Sequence, residues 1–201
     1  MKTRKLILLN VLFVLLIGGM SSCTYNDLVS KETEVEEQWS NVENQYQRRS
    51  DLIPNLVNTV KGAANFEKST LTDVIKARAS ATKITVDPSK LDPKAIQKFQ
   101  ASQGQLSQAL GRLMMVSERY PKLQATESFK GLQAQLEGTE NRIAVARRDF
   151  NTSVSNYNKA IRKFPGVIYA SLFGFEKKGF FEAEDGAKEA PTVDFGSDSS
   201  E

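Results

Sequence analysis

Apolar residues recur every seven positions along most of this chain, in two rows offset by four. That pattern restricts it to long helices packed side by side. Leu28, Val35, Val42 and Leu56 form one row, with Arg49 in the remaining slot, and Trp39, Tyr46, Ile53 and Val60 form the other. Two such rows make an a/d seam, where each apolar side chain enters a hole on a facing helix. The seam predicts a first helix over residues 26–64. Pro54 lies inside it and lacks an amide donor, but the rows keep their phase across it, so a bend is expected there.

The same spacing continues downstream. A short second helix is expected over residues 69–82, with Leu71, Val74, Ile75 and Arg78 on its inner edge. A turn-rich stretch follows, closed by Asp92 as an N-cap with Pro93 at the first helical position. A third helix is expected over residues 93–119. Its rows are Phe99, Leu106, Leu113 and Tyr120, beside Ile96, Gln103, Leu110 and Ser117, and Pro121 stops it. The fourth, over residues 126–163, has a large row of Phe129, Leu136, Ile143, Phe150, Tyr157 and Phe164. Its small row is Leu132, Thr139, Ala146, Ser153 and Ala160. A small row lets a neighbouring helix approach closely, and the aromatic row reads as core. Four heptad-patterned segments joined by short loops give an all-α fold, an elongated antiparallel helical bundle of about four helices. Its two long helices would each extend about 55–60 Å.

The ends of the chain differ from this body. Lys2, Arg4 and Lys5 precede an apolar run over residues 6–20, and Ser21, Ser22 and Cys23 follow. A basic n-region, an apolar h-region and small residues describe a signal peptide. The lone cysteine behind it resembles a lipobox, so Cys23 is the expected lipid-attachment residue. The competing reading is an uncleaved anchor, although a span needs about 20 apolar residues and this run is shorter and broken by Asn10. In either case the basic residues stay on the cytoplasmic side, which puts the body beyond the membrane, facing a periplasm where one exists. Residues 167–175 form a short apolar piece, either a flap on the bundle end or a surface for lipid headgroups or a partner. The expected organisation is therefore a signal peptide or anchor over 1–22, a bundle over 23–175 and an acidic, disordered tail over 176–201.

Charge and composition remove several functions. The leader holds three of the 27 basic residues and no acidic one, so the rest balances 24 basic against 24 acidic residues. A nucleic-acid partner, which needs a basic face, is not expected. The chain has no histidine, the usual general base and commonest metal ligand. With the only cysteine assigned to lipid, no catalytic, cofactor or metal site is expected. Arg49 is the exception within the seam, because a buried charge must be paired. Asp51, Glu140 or Glu118 could partner it as a register-fixing contact. Alternatively Arg49, Asp51, Asn55 and Glu140 could form a polar cleft at Pro54 for an anionic ligand. Asn55, Asn156 and Asn158 could line a polar layer or cap.

Several stretches carry a resemblance. They include Tyr25-Asn26-Asp27-Leu28-Val29, Trp39, the run 48–57 (RRSDLIPNLV), Val60-Lys61-Gly62-Ala63 and Ala77-Arg78-Ala79. Further on are the run 118–123 (ERYPKL), Gly138-Thr139-Glu140-Asn141-Arg142-Ile143, Ala146-Arg147, Tyr157-Asn158, Phe164-Pro165 and Phe173-Gly174-Phe175. In order and spacing, over about residues 25–195, these resemble the LemA family. The resemblance implies a membrane-anchored α-helical protein with no catalytic residue or cofactor to carry over. The function expected is a non-enzymatic, lipid-anchored scaffold or interaction module of the cell envelope, with a protein partner or a second copy bound. A sensing module built on the Arg49 cleft, a carboxylate- or lysine-based enzyme and a lipid-remodelling rod are the alternatives.

Overall fold

The computed structural model describes the backbone of residues 2–182 and the side chains of residues 23–182. The described residues are helical throughout apart from turns and loops. Helix α1 spans Lys2–Lys61, α2 Lys68–Lys83, α3 Pro93–Ser117, α4 Pro121–Gln124, α5 Glu127–Ala160 and α6 Gly166–Phe173. A single 3-10 turn, Pro88–Lys90, lies between α2 and α3. Helix α1 begins well before the expected residue 26 and passes through Cys23 without interruption. The leader reading itself falls on residues 1–22, whose side chains lie outside the described residues.

Long helices α1 and α5 form the spine. Trp39 meets Phe150, Arg49 meets Glu140 and Glu32 meets Tyr157. Each step up one helix is a step down the other, the mark of an antiparallel pair. Helix α3 runs alongside α1 in the same direction, with Phe99 against Tyr46 and Gln103 against Arg49. The a/d assignment accounts for this packing: all nine seam residues from Leu28 to Val60, Arg49 included, are buried. On α5 the small row buries Thr139, Ala146 and Ser153, which lets α1 lie close against it.

The caps follow their chemistry. The Asp92 carboxylate accepts from the Lys94 and Ala95 amides at 2.7 and 2.9 Å, with Pro93 at the first helical position. Those amides have no partner inside the helix, so the side chain supplies one. Thr126 caps α5 by accepting from the Phe129 amide.

Three expectations are corrected. Ile75 is exposed rather than on the inner edge of α2, which is formed by Thr70, Leu71, Val74 and Ala81. Phe164 leaves the core row and is 81% exposed, because α5 stops at Ala160. The residue before a proline is forced out of helical geometry, so Phe164 cannot continue the face that Phe150 and Tyr157 share. The chain also does not leave the bundle at residue 176: Lys178 and Phe181 are buried, and residues 176–182 lie across α3 and α5 as a strap. Residues 183–201, most of the expected acidic tail, lie outside the described residues.

Candidate functional site

Arg49 divides the core. Towards Cys23 lies an aromatic-rich cluster built on Trp39, Tyr46, Phe99, Phe150 and Phe181. Towards the other end lies a largely aliphatic cluster with Ile53, Leu56, Leu106, Leu113 and Leu136. Between them the Arg49 side chain is 1% exposed, and its guanidinium is held on several sides. Nη1 donates to Glu140 Oε1 at 2.6 Å and to Ser107 Oγ at 2.7 Å. Nη2 donates to Gln103 Oε1 at 2.8 Å and to the Gln103 carbonyl at 3.3 Å. The guanidinium carbon also sits 5.0 Å from the centre of the Tyr46 ring. This planar fork satisfies a buried charge in three directions at once.

Only Glu140 of the expected acidic partners reaches Arg49. Asp51 is exposed and accepts from Gln47 Nε2 at 2.7 Å. Asn55 is exposed as well. Residues two and six positions along a helix point to other faces, so neighbours of Arg49 in sequence are not its neighbours in space. Glu118 follows the end of α3, more than ten residues beyond Ser107, on the order of 16 Å along the axis. The four residues expected to make a cleft thus divide into a paired Arg49–Glu140 and two outward-facing side chains. An anionic ligand would have to compete with Glu140 for the guanidinium.

A second buried cation, Lys178, was not legible as a site residue. Its Nζ pairs with Glu32 at 2.8 Å, donates to the Ser89 carbonyl at 3.1 Å and lies 5.7 Å from the Tyr157 ring centre. The Tyr157 hydroxyl donates to the same Glu32 oxygen at 3.4 Å. Burial, and then the Glu32 charge, hold that phenol well above its ordinary range, so it stays neutral and keeps its proton to donate. Glu32 lies one heptad before Trp39, so extending the second seam row backwards would have found it.

The strap that carries Lys178 is held by amide side chains one heptad apart on α5. Asn158 accepts from the Lys178 amide and donates to its carbonyl, at 3.0 and 2.9 Å. Asn151 makes the same pair of bonds with Phe181, both at 2.9 Å. Gln100 on α3 grips the Glu182 backbone in this way at 2.9 and 3.0 Å. A carboxamide offers one donor and one acceptor, which matches a single extended residue. Gly179 permits the approach: a Cβ there would lie 2.7 Å from the Pro93 Cα.

Cys23 is exposed near one end of the bundle. It opens onto a groove of about 550 Å³ shared with Lys31, Lys159, Lys163 and Phe164. Among the described residues, no group of histidine, cysteine, aspartate or glutamate side chains could hold a metal ion. Within residues 23–182, no helical stretch is long and apolar enough to cross a membrane.

Taken together, the geometry defines an all-helical bundle in which the two cations buried among the described residues are each neutralised by a carboxylate from another element. The chain belongs to the LemA family, whose sequence pattern matches residues 38–195. It is similar to magnetosome protein MamQ 2 of Paramagnetospirillum magneticum, with 28% identity over 94% of this chain and 75% of that protein. It is similar to magnetosome protein MamQ of Magnetospirillum gryphiswaldense, with 30% identity over 84% and 68% of the two chains. Protein LemA of Metamycoplasma hominis is 24% identical over 87% of this chain and 78% of its own.

Proposed function

We propose that this chain is a membrane-anchored, non-enzymatic helical scaffold of the bacterial cell envelope, attached by lipid at Cys23, with its body on the non-cytoplasmic side. The observation that carries this reading is that α1 is already helical at Cys23 and runs on unbroken to Lys61. With the leader cut away, Cys23 lies on the helix that forms the spine of the bundle, so a lipid link there joins directly to a rigid rod. The part of α1 beyond Cys23 alone extends about 58 Å, which projects the far end of the bundle well clear of a bilayer surface. Similarity to magnetosome proteins supports a role in organising an envelope or membrane compartment. Arg49 and Lys178 serve the packing of the rod in this reading, since the charge of each is already paired with a carboxylate of this chain.

A scaffold binds something. Purification of the full chain from membranes in mild detergent is expected to recover a stoichiometric protein partner or a defined self-oligomer. Recovery of monomer alone, before and after chemical cross-linking on intact membranes, would remove the scaffold reading.

A further inference from the structure

Helix α6 is apolar on every side, yet only its Gly166 and Ala170 are buried. A helix hydrophobic all round belongs in an interior; here Phe164 just before it is 81% exposed, and Leu172 and Phe173 on it are 72% and 56% exposed. The helix lies beside the start of the rod. The Phe173 ring packs 4.9 Å from Tyr25, two residues beyond Cys23, and Phe164 lines the same groove as Cys23. Just before this apolar group, the end of α5 and the turn after it present Lys159, Arg162 and Lys163, all exposed. None of these three cations has an ion-pair partner among the described residues. Asp27 in the groove is already tied to Lys31 at 2.8 Å, while Glu34 remains as an acidic wall.

We infer that this end of the bundle is a docking footprint for an anionic lipid surface, with Phe164, Leu172 and Phe173 entering the headgroup boundary and Lys159, Arg162 and Lys163 meeting lipid phosphates. Exposed apolar side chains bordered by cations, at the point where the chain would reach the bilayer, match the chemistry of an interfacial anchor. The inference rests on the proposed attachment at Cys23, and adds a second contact that fixes how the rod stands on the membrane.

The test uses the full chain carrying Phe164→Trp, reconstituted into vesicles of phosphatidylcholine with or without phosphatidylglycerol, with brominated acyl chains as quencher. The native Trp39, fully buried in the core, reports the fold and is not expected to be quenched. The indole introduced at position 164 is expected to be quenched in the anionic vesicles. Adding Lys159→Glu, Arg162→Glu and Lys163→Glu is expected to lower the docked fraction by at least on the order of tenfold. Vesicle-bound protein with no quenching at position 164 would overturn the footprint and leave the anchor intact. Protein that fails to float with either vesicle type would overturn both. A concentration-dependent blue shift of that indole without lipid would assign the surface to a second copy of the chain, and likewise overturn the inference.

Discussion

Glu140→Ala is expected to destabilise the chain by about 3–5 kcal/mol, while Arg49→Met costs clearly less. The asymmetry comes from burial. Removing the carboxylate leaves the Arg49 charge, at 1% exposure, without its counter-ion in the middle of the core. Removing the guanidinium instead leaves Glu140, whose side chain is 46% exposed and can turn to water. Methionine also fills most of the vacated volume with a flexible apolar chain. The cost of Arg49→Met should appear in uniqueness rather than in stability. A one-heptad slip of α5 would place position 49 opposite Gln133 or Arg147, and a slip of α3 would place it opposite Ile96 or Leu110. Arginine at 49 disfavours all of these except Gln133. Equilibrium urea unfolding followed by Trp39, the sole tryptophan, gives both numbers. Equal losses, or a larger loss for Arg49→Met, would contradict a buried pair held together from the arginine side.

Phe181→Ala is expected to cost about 3–5 kcal/mol, the range of a buried phenylalanine truncation. Its ring stacks 6.0 Å from Trp39 and meets Phe150 edge-on at 5.5 Å, with the Arg147 guanidinium 5.0 Å from its centre. The aromatic half of the core is therefore incomplete without a residue that sequence assigns to the tail. Truncation after residue 175 should destabilise at least as much, because it also leaves Glu32 without Lys178 and the Asn151 and Asn158 amides without their backbone partners. A change within about 0.5 kcal/mol, the usual range for a surface substitution, would mean that the strap is not part of the folded core.

These two regions mark how much was legible. The seam rows on α1, α3 and α5 were readable because a sustained seven-residue period has one physical cause, a buried stripe on a helix. The same rows pointed to Arg49 as an anomaly, and Glu140, outside the rows, was one of three carboxylates offered as its partner. Asp51 and Asn55 were misplaced because closeness along a helix is not closeness on one face. Phe164 was misplaced because the heptad count ran on past the helix end that Pro165 imposes. The strap has no period of its own, since an extended segment seven residues long is held by backbone bonds. Its signature lay on the other side, in Asn151 and Asn158 one heptad apart, and in Glu32 in a seam slot.

The proposed attachment makes one demand of the chain as isolated from cells. Intact mass of the membrane form, measured beside the Cys23→Ala variant, is expected to show a protein that begins at Cys23 and carries acyl chains, with both features lost in the variant. A mass that still includes residues 1–22 in the unaltered protein would contradict lipid attachment at Cys23 and make the leader an uncleaved anchor.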